Sequence, residues 1–294
     1  MGGPGFALFE EERHAVGYSA SVPKGTLSAL LLLLLLVVTA PEARADDCGQ
    51  TAEGFPGWLE RFRRDAIQQG IPPRIVAAAL TGATYDPEVI RLDRSQKPFK
   101  LSFEKFAAQR ITKGRLRLGR KLLRDLAPLL ERIEERFGVQ GPVLVAVWGL
   151  ETDYGTNMGE RPALRSLATL AYDCRRTERF RGELTSALRL LERGDLKPSE
   201  MLGAWAGELG QTQFLPSSYE RFAVDFDEDG RADLIHSVPD VLASTANYLW
   251  GNGWRPASGW EPGTANFEVL ASWNRAKIYQ KTIALFATRL AQGS

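Results

Sequence analysis

The chain has 294 residues, and its 37 lysines and arginines against 36 aspartates and glutamates give a formal net charge of +1. So small a charge gives no reason to expect nucleic acid as a partner. Hydrophobic residues make up 44% of the chain, an ordinary share for a folded domain, and the length suits one large domain or two unequal lobes.

The first 45 residues are typical of an export signal rather than of a fold. Lys24 precedes the apolar segment from Leu27 to Ala40, and Ala43-Arg44-Ala45 has the small-x-small pattern of a signal-peptidase site. The apolar run is short for a membrane span, so a cleaved signal is favoured over an uncleaved anchor. Residues 1–21 are unusual ahead of such a signal, and we expect the true start codon to lie further downstream.

Two cysteines, Cys48 and Cys174, follow the expected cleavage site. An even number of cysteines in an oxidising compartment favours a disulfide. That bond would tie the start of the exported chain to the middle of the domain. Two separate buried thiols are the alternative.

From Phe55 onward, apolar residues recur at helical spacing almost throughout the chain. Leu92 to Phe99 is expected to be an extended connector, and Phe103 to Phe137 a long amphipathic stretch interrupted near Gly114 and Gly119. Further helices are expected at Trp58 to Phe62, Ile75 to Leu80, from Asp86, at Ser166 to Ala171, Phe180 to Leu191, from Pro198, at Leu242 to Trp250 and at Ile278 to Leu290.

Strand signals are scarce in this sequence. Phe267 to Ala271 is predicted as a strand, and Phe222 to Val224 as a short extended piece. The basic face from Lys113 to Arg124 is interpreted as a solvated helix face, with a patch for an anionic polymer as the alternative. The pattern as a whole predicts one mainly helical domain.

One uncharged segment, Val143 to Leu150, leads directly into an acid, Glu151. Pro142 suits the first turn of a helix and Gly155 the end of one, so a short buried helix with a terminal carboxyl is predicted. Burial and the negative end of the helix dipole both raise the pKa of a carboxyl. A carboxyl that stays protonated near neutral pH can serve as a general acid. The alternative is a core helix whose last residue is simply solvated.

A second segment, Gly203 to Ser217, is rich in small residues that let the backbone approach a neighbour closely. Gln211, Thr212 and Gln213 offer hydrogen-bond donors and acceptors, and three aromatic residues could stack on sugars. These are Trp205, Phe214 and Tyr219. The alternative is a tightly packed helix-turn in which the small residues serve packing alone.

The third segment, Asp225 to Asp233, places carboxylates at loop positions one, three and five and a glycine at six, like the first half of an EF-hand. Its twelfth position is His236, so a further ligand has to come from elsewhere. The expected ligands are the side chains of Asp225, Asp227, Asp229 and Asp240, the main-chain carbonyl of Arg231 and a water held by Asp233. The pattern predicts a structural divalent cation, and the alternative is a bare acidic turn.

Over roughly residues 55–290, these segments in this order resemble the B-type family of lytic murein transglycosylases. Gly149 to Gly155 resembles the catalytic segment of that family, and Gly210 to Ser218 its substrate groove. Asn247-Tyr248 and the segment Trp273 to Tyr279 also fit. The resemblance implies a mainly α, lysozyme-like helical domain over residues 46–294, with a small amount of β-structure and an EF-hand-like metal loop.

The activity implied is cleavage, without water, of the β-1,4 bond between N-acetylmuramic acid and N-acetylglucosamine. Glu151 would protonate the leaving oxygen and then take a proton from the muramoyl C6 hydroxyl, which gives a 1,6-anhydro end. An ordinary glycosidase needs two carboxylates, whereas this reaction needs one. The alternatives are a muramidase of the same fold and a non-catalytic, calcium-stabilised wall-binding protein.

The resemblance also assigns the substrate groove. Its expected residues are Gln213, Phe214, Tyr248, Asn274, Tyr279, Phe106 and Trp273. Phe106 and Trp273 stand where the family has tyrosine, so each keeps an aromatic platform and loses a hydroxyl. Ala204 replaces a serine and Glu208 an alanine. If the side chain of Glu208 reached the cleft, the hydrolase alternative would be open again.

The expected partner follows from the same resemblance. It implies peptidoglycan strands as the substrate. The export signal predicts the periplasm as the location, and a monomer is the expected working form. No cofactor is expected for the chemistry, and a structural Ca²⁺ is expected in the acidic loop. Other cell-wall enzymes are candidate partners.

Overall fold

The computed structural model of the chain describes residues 48–96 and 101–293. The expected export signal in residues 1–45 lies outside the described residues, as do Pro98 and Phe99 of the expected connector. Thirteen α-helices and one two-stranded antiparallel sheet form in the described part, which confirms the mainly helical prediction. The elements are α1 (Phe55–Gln68), α2 (Pro73–Leu80), α3 (Pro87–Arg94), α4 (Phe103–Arg110), α5 (Lys113–Asp125), α6 (Ala127–Phe137), α7 (Gly141–Thr152), β1 (Arg161–Pro162), α8 (Ala163–Tyr172), α9 (Thr177–Arg193), β2 (Leu202–Gly203), α10 (Pro216–Phe222), α11 (Val238–Gly251), α12 (Ala265–Trp273) and α13 (Lys277–Ala291).

The central element is α7, which is buried at every position except Pro142. A helix that is apolar on all sides belongs in the interior, and α5, α6, α11 and α13 pack around this one. Across residues 48–96 and 101–293, neither α7 nor any other helix is long and apolar enough to cross a membrane. The position of α7 carries Glu151 into the core.

The end of α7 is a sharp left-handed turn. Asp153, Tyr154 and Gly155 all have positive φ, at 52°, 62° and 82°. Asp153 accepts a hydrogen bond from Arg115 Nε at 2.6 Å, and the Tyr154 hydroxyl donates to the carbonyl of Arg115 at 2.7 Å. The helix therefore stops after Thr152, before the predicted stop at Gly155, because contacts with α5 hold two non-glycine residues in this conformation.

The long stretch from Phe103 to Phe137 is interrupted elsewhere than predicted. Its breaks lie at Thr112, whose hydroxyl caps α5 by accepting from Arg115 N at 3.2 Å, and at Leu126. Gly119 is inside α5, and a Cβ there would lie 2.4 Å from the Tyr154 hydroxyl. Glycine at this position serves close packing against the turn after α7, so the prediction of a break there was wrong.

Three other local predictions were wrong. The expected strand Phe267 to Ala271 lies in α12, where Asn266, Phe267 and Leu270 are buried at helical spacing. Leu92 to Arg94 continue α3 instead of starting a connector, because the Asp93 side chain is buried and pairs with Arg175 and Arg176. Pro198 opens only a three-residue 3-10 turn.

The two cysteines form the predicted disulfide. Cys48 and Cys174 have Cα atoms 4.9 Å apart. The neighbouring Gly49 N–H donates to the carbonyl of Tyr172 at 2.9 Å. The start of the described chain is thereby tied to the end of α8, and the alternative of two separate thiols is excluded.

Candidate active site

The Glu151 side chain is 1% exposed and lies under two hydrogen-bond donors. Its Oε1 accepts from Trp273 Nε1 at 2.8 Å and from the Tyr279 hydroxyl at 2.9 Å. Its Oε2 accepts no hydrogen bond from any described residue. The donors come from the end of α12 and from α13, more than a hundred residues further along the chain. One oxygen is thus held by the protein, and the other is buried without a partner among those residues.

Burial raises the pKa of Glu151 to about 8. The hydrogen bonds from Trp273 and Tyr279 lower this pKa, a nearby Glu208 raises it and Arg110 lowers it again. Desolvation therefore outweighs two good donors, as expected for a carboxyl surrounded by apolar side chains. The carboxyl is mostly protonated at neutral pH. Because Oε1 is occupied as an acceptor, we assign the proton to Oε2.

The segment Gly203 to Ser217 is attached to α7 through Gln211. The Gln211 side chain accepts from Trp148 Nε1 at 2.9 Å and donates to the carbonyl of Ile235 at 2.8 Å. The Thr152 hydroxyl donates to the Gln211 carbonyl at 2.5 Å, and Thr212 is hydrogen-bonded to Thr245 at 3.2 Å. Gln211 and Thr212, two of the polar residues that the sequence singled out, thus hold the segment against α7 and α11.

The small residues of this segment bring backbone against backbone. A Cβ at Gly203 would lie 1.8 Å from the carbonyl oxygen of Glu208, and one at Gly210 would lie 2.4 Å from the carbonyl oxygen of Leu234. Leu209 and Phe214 pair across the turn by two main-chain hydrogen bonds of 2.8 and 2.9 Å. The segment is therefore a tight, bridged turn and not the helix-turn considered as an alternative.

Gln213 adopts a left-handed conformation with φ at 56°. Its side-chain amide donates to the carbonyl of Gly210 at 2.8 Å and to that of Met158 at 3.1 Å. Strained residues of this kind often occur at functional sites. Gln213 is also one of the residues that line a groove at the protein surface.

This groove has a volume of about 290 Å³. Its lining residues are Arg179, Glu183, Glu208, Gln213, Phe214, Leu215, Ser217, Ser218, Tyr248, Ser272 and Trp273. Phe214, Tyr248 and Trp273 form one aromatic wall, with ring centroids 5.1 to 5.6 Å apart. Trp273 also donates to Glu151, so this one side chain connects the groove to the buried carboxyl.

The structure places the expected groove residues in two groups. Gln213, Phe214, Tyr248 and Trp273 line the groove. Tyr279 instead donates to Glu151, and Phe106 packs against Tyr279 with ring centroids 6.4 Å apart. The indole N–H of Trp273 supplies a donor where the loss of a hydroxyl was expected.

Asn274 is not brought into the lining of the groove. Its Oδ1 accepts from the Ala276 N–H at 2.9 Å, and its carbonyl accepts from Gln280 Nε2 at 2.8 Å. Its side chain is therefore engaged at the start of α13. Its expected role in binding the substrate stays a prediction.

Sequence reasoning missed the charged end of the groove, formed by Arg179 and Glu183. Glu183 accepts from the Ser217 N–H at 2.9 Å and from the Ser217 hydroxyl at 2.8 Å, which satisfies both of its oxygens. The sequence pattern could have indicated Glu183, because this residue lies on the apolar face of α9 beside Phe180 and Ala187. A charged residue at such a position is rarely buried without a partner.

Glu208 is a second buried carboxyl and reaches the groove. It is 2% exposed, and its Oε2 accepts from the Ala206 N–H at 3.0 Å. Burial raises its pKa to about 7. Ala204, which replaces the expected serine, contributes its main chain to the same turn, since its N–H donates to the Glu208 carbonyl at 3.2 Å.

The acidic loop brings three carboxylates together. Ligand oxygens of Asp225, Asp227 and Asp229 all lie within 4.8 Å of one another. Gly230 has φ at 95°, and its N–H donates to Asp225 at 2.9 Å. Hard oxygen donors in this arrangement suit a divalent cation such as Ca²⁺, so the triad could hold a metal ion.

Asp240 does not join that triad. It is fully buried, and its oxygens accept from the Phe226 N–H at 2.7 Å and the Asp233 N–H at 2.8 Å. Asp233 is also occupied, because it accepts from the N–H groups of Ile235 and His236 and pairs with the Arg231 side chain. Both acids hold the loop to the start of α11, which corrects the expectation that Asp240 is a metal ligand.

Comparison with known proteins finds similarity to lytic transglycosylases both in sequence and in structure. A family model described as "Transglycosylase SLT domain" matches residues 54–264. The membrane-bound lytic murein transglycosylase B of Escherichia coli K12 is 38% identical over 145 residues, which are 47% of this chain and 40% of that protein. The matched region thus spans less than half of the length of this curated relative.

Solved structures extend the similarity to most of the chain. SltB3 from Pseudomonas aeruginosa in complex with NAG-anhNAM-pentapeptide superposes with a TM-score of 0.77 at 31% identity, covering 83% of this chain and 80% of that one. Escherichia coli Slt35 in complex with calcium gives a TM-score of 0.73 at 23% identity, covering 86% and 98%. The second match shows the shared fold, and it agrees with the lysozyme-like architecture inferred from the sequence.

Proposed function

The chain belongs to the transglycosylase SLT-domain family, and we propose that it is a lytic transglycosylase that cleaves the glycan strands of peptidoglycan without adding water. The observation that carries this proposal is the state of Glu151. The Glu151 carboxyl is protonated at neutral pH, has one oxygen fixed by two donors and has the other without a hydrogen-bond partner among the described residues. One of the two donors, Trp273, lines the aromatic-walled groove.

The first step uses Glu151 as an acid. Its Oε2 donates a proton to the glycosidic oxygen between N-acetylmuramic acid and N-acetylglucosamine, and the bond from that oxygen to the muramoyl C1 breaks. The carboxylate left behind keeps its hydrogen bonds from Trp273 and Tyr279. Donors already in position stabilise this new charge without reorganisation.

The second step uses the same carboxylate as a base. It takes the proton of the muramoyl C6 hydroxyl while that oxygen bonds to C1, and a 1,6-anhydro ring forms. The proton returns to Glu151, so the enzyme is regenerated and no water is consumed. A second carboxylate is not required, because the intramolecular hydroxyl replaces both the nucleophile and the water of ordinary glycosidases.

The groove supports this assignment. Phe214, Tyr248 and Trp273 present apolar ring surfaces of the kind that pack against sugar faces, and Gln213 adds a polar group beside them. SltB3, a relative at 31% identity, was solved with NAG-NAM-pentapeptide. We infer that the groove of this chain takes the same class of ligand.

Product analysis tests the proposal. Purified peptidoglycan is digested with the protein, and the released muropeptides are analysed by mass spectrometry. Ends carrying the 1,6-anhydro ring are expected, at a mass one water below that of reducing ends. Reducing ends alone would show that water attacks instead, and no release at all would leave only a wall-binding protein.

A muramidase activity is the second candidate, and one observation favours it. The sequence left the hydrolase alternative open if the Glu208 side chain reached the cleft, and Glu208 does line the groove. Its pKa of about 7 leaves a substantial share of the side chain ionised at neutral pH. Such a carboxylate could activate water, and the product analysis above separates the two reactions.

The rate of muropeptide release should fall as pH rises through about 8, because Glu151 must be protonated to act as the acid. Tyr279→Phe removes a hydrogen bond that lowers this pKa, so the alkaline limb should move to higher pH and the maximal rate should fall. The measurement is a pH–rate profile for each variant. Tyr85→Phe, which loses a hydroxyl remote from Glu151, is the control. If the alkaline limb of the profile lay at the same pH in Tyr279→Phe as in the parent protein, the assignment of Glu151 as the acid would be contradicted.

We also propose that Asp225, Asp227 and Asp229 hold a structural Ca²⁺. Three carboxylates within 4.8 Å repel one another unless a cation lies between them, and the structural relative Slt35 was solved with calcium. When bound, the ion would neutralise the loop. The groove lining does not include these residues, so no catalytic step depends on the ion.

Chelation should therefore lower the melting temperature, and added Ca²⁺ should restore it, because a ligand bound only by the native state stabilises that state. At a hundredfold excess over the dissociation constant the effect is about 2.7 kcal/mol. The measurement is a thermal melt with and without EDTA. In the control, Asp225→Asn combined with Asp227→Asn should make the melt insensitive to chelator. If the parent protein had the same melting temperature with and without EDTA, the metal proposal would be wrong.

The remaining proposals concern location and boundaries. A cleaved signal in residues 1–45 would deliver residues 46–294 to the periplasm as the catalytic domain, and the disulfide supports an oxidising location. The curated relative is named as membrane-bound. A monomer remains the proposed working form, with peptidoglycan strands as its partner.

A further inference from the structure

Glu208 lines the groove, and one of its two carboxyl oxygens has no hydrogen-bond donor among the described residues. The side chain is 2% exposed, and its Oε1 accepts no hydrogen bond from any residue that the structure describes. Leaving a buried polar group unpaired is costly. In the free protein this unpaired oxygen lowers the free energy of unfolding.

Glu183 provides the comparison within the same groove. It is also buried and also lines the groove, but Ser217 satisfies both of its oxygens. The fold is therefore able to satisfy a carboxyl in this place. Glu208 differs because one oxygen is left for a partner that the chain does not supply.

Holding the turn does not require that free oxygen. The turn is closed by main-chain bonds, with the Ala204 N–H donating to the Glu208 carbonyl at 3.2 Å. The side chain adds a bond from the Ala206 N–H to Oε2 at 3.0 Å, and the main-chain N–H of Glu208 also acts on its own carboxyl. Oε1 has no hydrogen-bond partner among the described residues, so a purely structural role accounts for only half of the carboxyl.

The surroundings indicate what kind of group would bind there. An ionised carboxylate only accepts hydrogen bonds, so the missing partner is a donor. Arg179 lines the same groove, and both Arg179 and Arg176 act on the charge of Glu208. The positive charge of these two guanidinium groups disfavours a free ammonium ion beside Glu208. A neutral hydroxyl or amide N–H is the donor that fits.

We propose that Glu208 is a specificity-determining residue of the groove, whose Oε1 accepts a hydrogen bond from a hydroxyl or acetamido N–H of the bound glycan strand. The identity of the ligand rests on the function proposed above. The buried carboxyl then reduces the stability of the free protein and is satisfied only in the complex. Such an exchange of stability for binding is common at functional sites.

The test is binding in the turnover-free Glu151→Gln background. Affinity for purified glycan strands without stem peptides is measured by calorimetry with and without Glu208→Gln, at a pH of about 8.5, where the carboxyl is ionised. The substituted amide keeps an acceptor for the Ala206 N–H but turns its NH₂ group toward the donor, so affinity should fall about tenfold. The melting temperature of the same variant should rise, or at least not fall.

Two control variants make the result specific. Glu183→Gln loses an internally satisfied carboxyl and should lower the melting temperature. Glu135→Gln, at an exposed position on α6, should change neither melting temperature nor affinity. Strands with part of their acetamido groups removed distinguish the two sources of the donor. The tenfold loss disappears on those strands if the acetamido N–H is bound and persists if a hydroxyl is bound.

Unchanged or tighter binding by Glu208→Gln would overturn the proposal. If the melting temperature fell while the affinity stayed unchanged, the side chain would only support the turn. Failure of the proposed function has a different signature, because it would appear as missing anhydro products from the parent protein. The binding measurement does not use turnover, so the two failures remain separate.

Discussion

Glu151→Gln should reduce muropeptide release by about a thousandfold or more, while glycan binding survives. A general acid alone typically contributes about 10²–10⁴-fold, and here the same carboxyl also acts as the base. Gln keeps an oxygen for Trp273 and Tyr279 but has no proton to transfer. The measurement is the initial rate of product release, compared with Glu135→Gln as an exposed carboxyl control. Release at the parent rate would show that the acid lies elsewhere.

The same substitution should raise the melting temperature at neutral pH. The folded pKa of about 8 lies above the ordinary value of 4.5, so folding has to return a proton to an ionised carboxyl. This cost is absent below the ordinary value, grows as pH rises and levels off above the folded pKa. At pH 7 it is about 3 kcal/mol. The gain from Gln should therefore shrink in melts performed near pH 4.5.

Loss of the disulfide should produce the largest loss of stability. Cys48 and Cys174 are 126 residues apart in sequence, and a cross-link closing so long a loop contributes about 5 kcal/mol in the chain-entropy account. Cys48→Ser combined with Cys174→Ser should lower the free energy of unfolding in urea by that amount. Reductant should lower the stability of the parent protein to the same level.

Two controls accompany this measurement. Reductant should leave the doubly substituted variant unchanged, because no bond is left to break. The parent protein, unfolded without reductant, should show no thiol that reacts with a titrating reagent. Two reactive thiols under those conditions would contradict the pairing.

Only part of the site could be predicted from local sequence, namely the buried helix and the acid at its end. Val143 to Leu150 predicted a buried helix, because a segment without charge has no face to offer to water. It also predicted a raised pKa for Glu151. The family resemblance assigned Trp273 and Tyr279 to the groove but not as donors to Glu151, because no local pattern relates residues that are 122 and 128 positions away from it.

The errors also have physical causes. Gly114 and Gly119 were interpreted as helix breaks from propensity, but Gly119 is needed inside α5 for contact with Tyr154. Phe267 to Ala271 has too few polar residues for its period to be clear, and packing made it a helix. Asp240 was assigned to the metal because of its charge, although the amides of Phe226 and Asp233 were closer partners.

The sequence by itself determined the helical class, the cysteine pair, the acidic triad and the position of the acid, because each depends on local composition or short spacing. Only the tertiary structure decided which oxygens are satisfied. Whether Gln211 binds a ligand or α7, and whether Glu183 or Glu208 has a free oxygen, depends on groups brought together from distant elements. Hydrogen bonds and desolvation act through space, and for that reason the chemistry of the groove appears only in the folded chain.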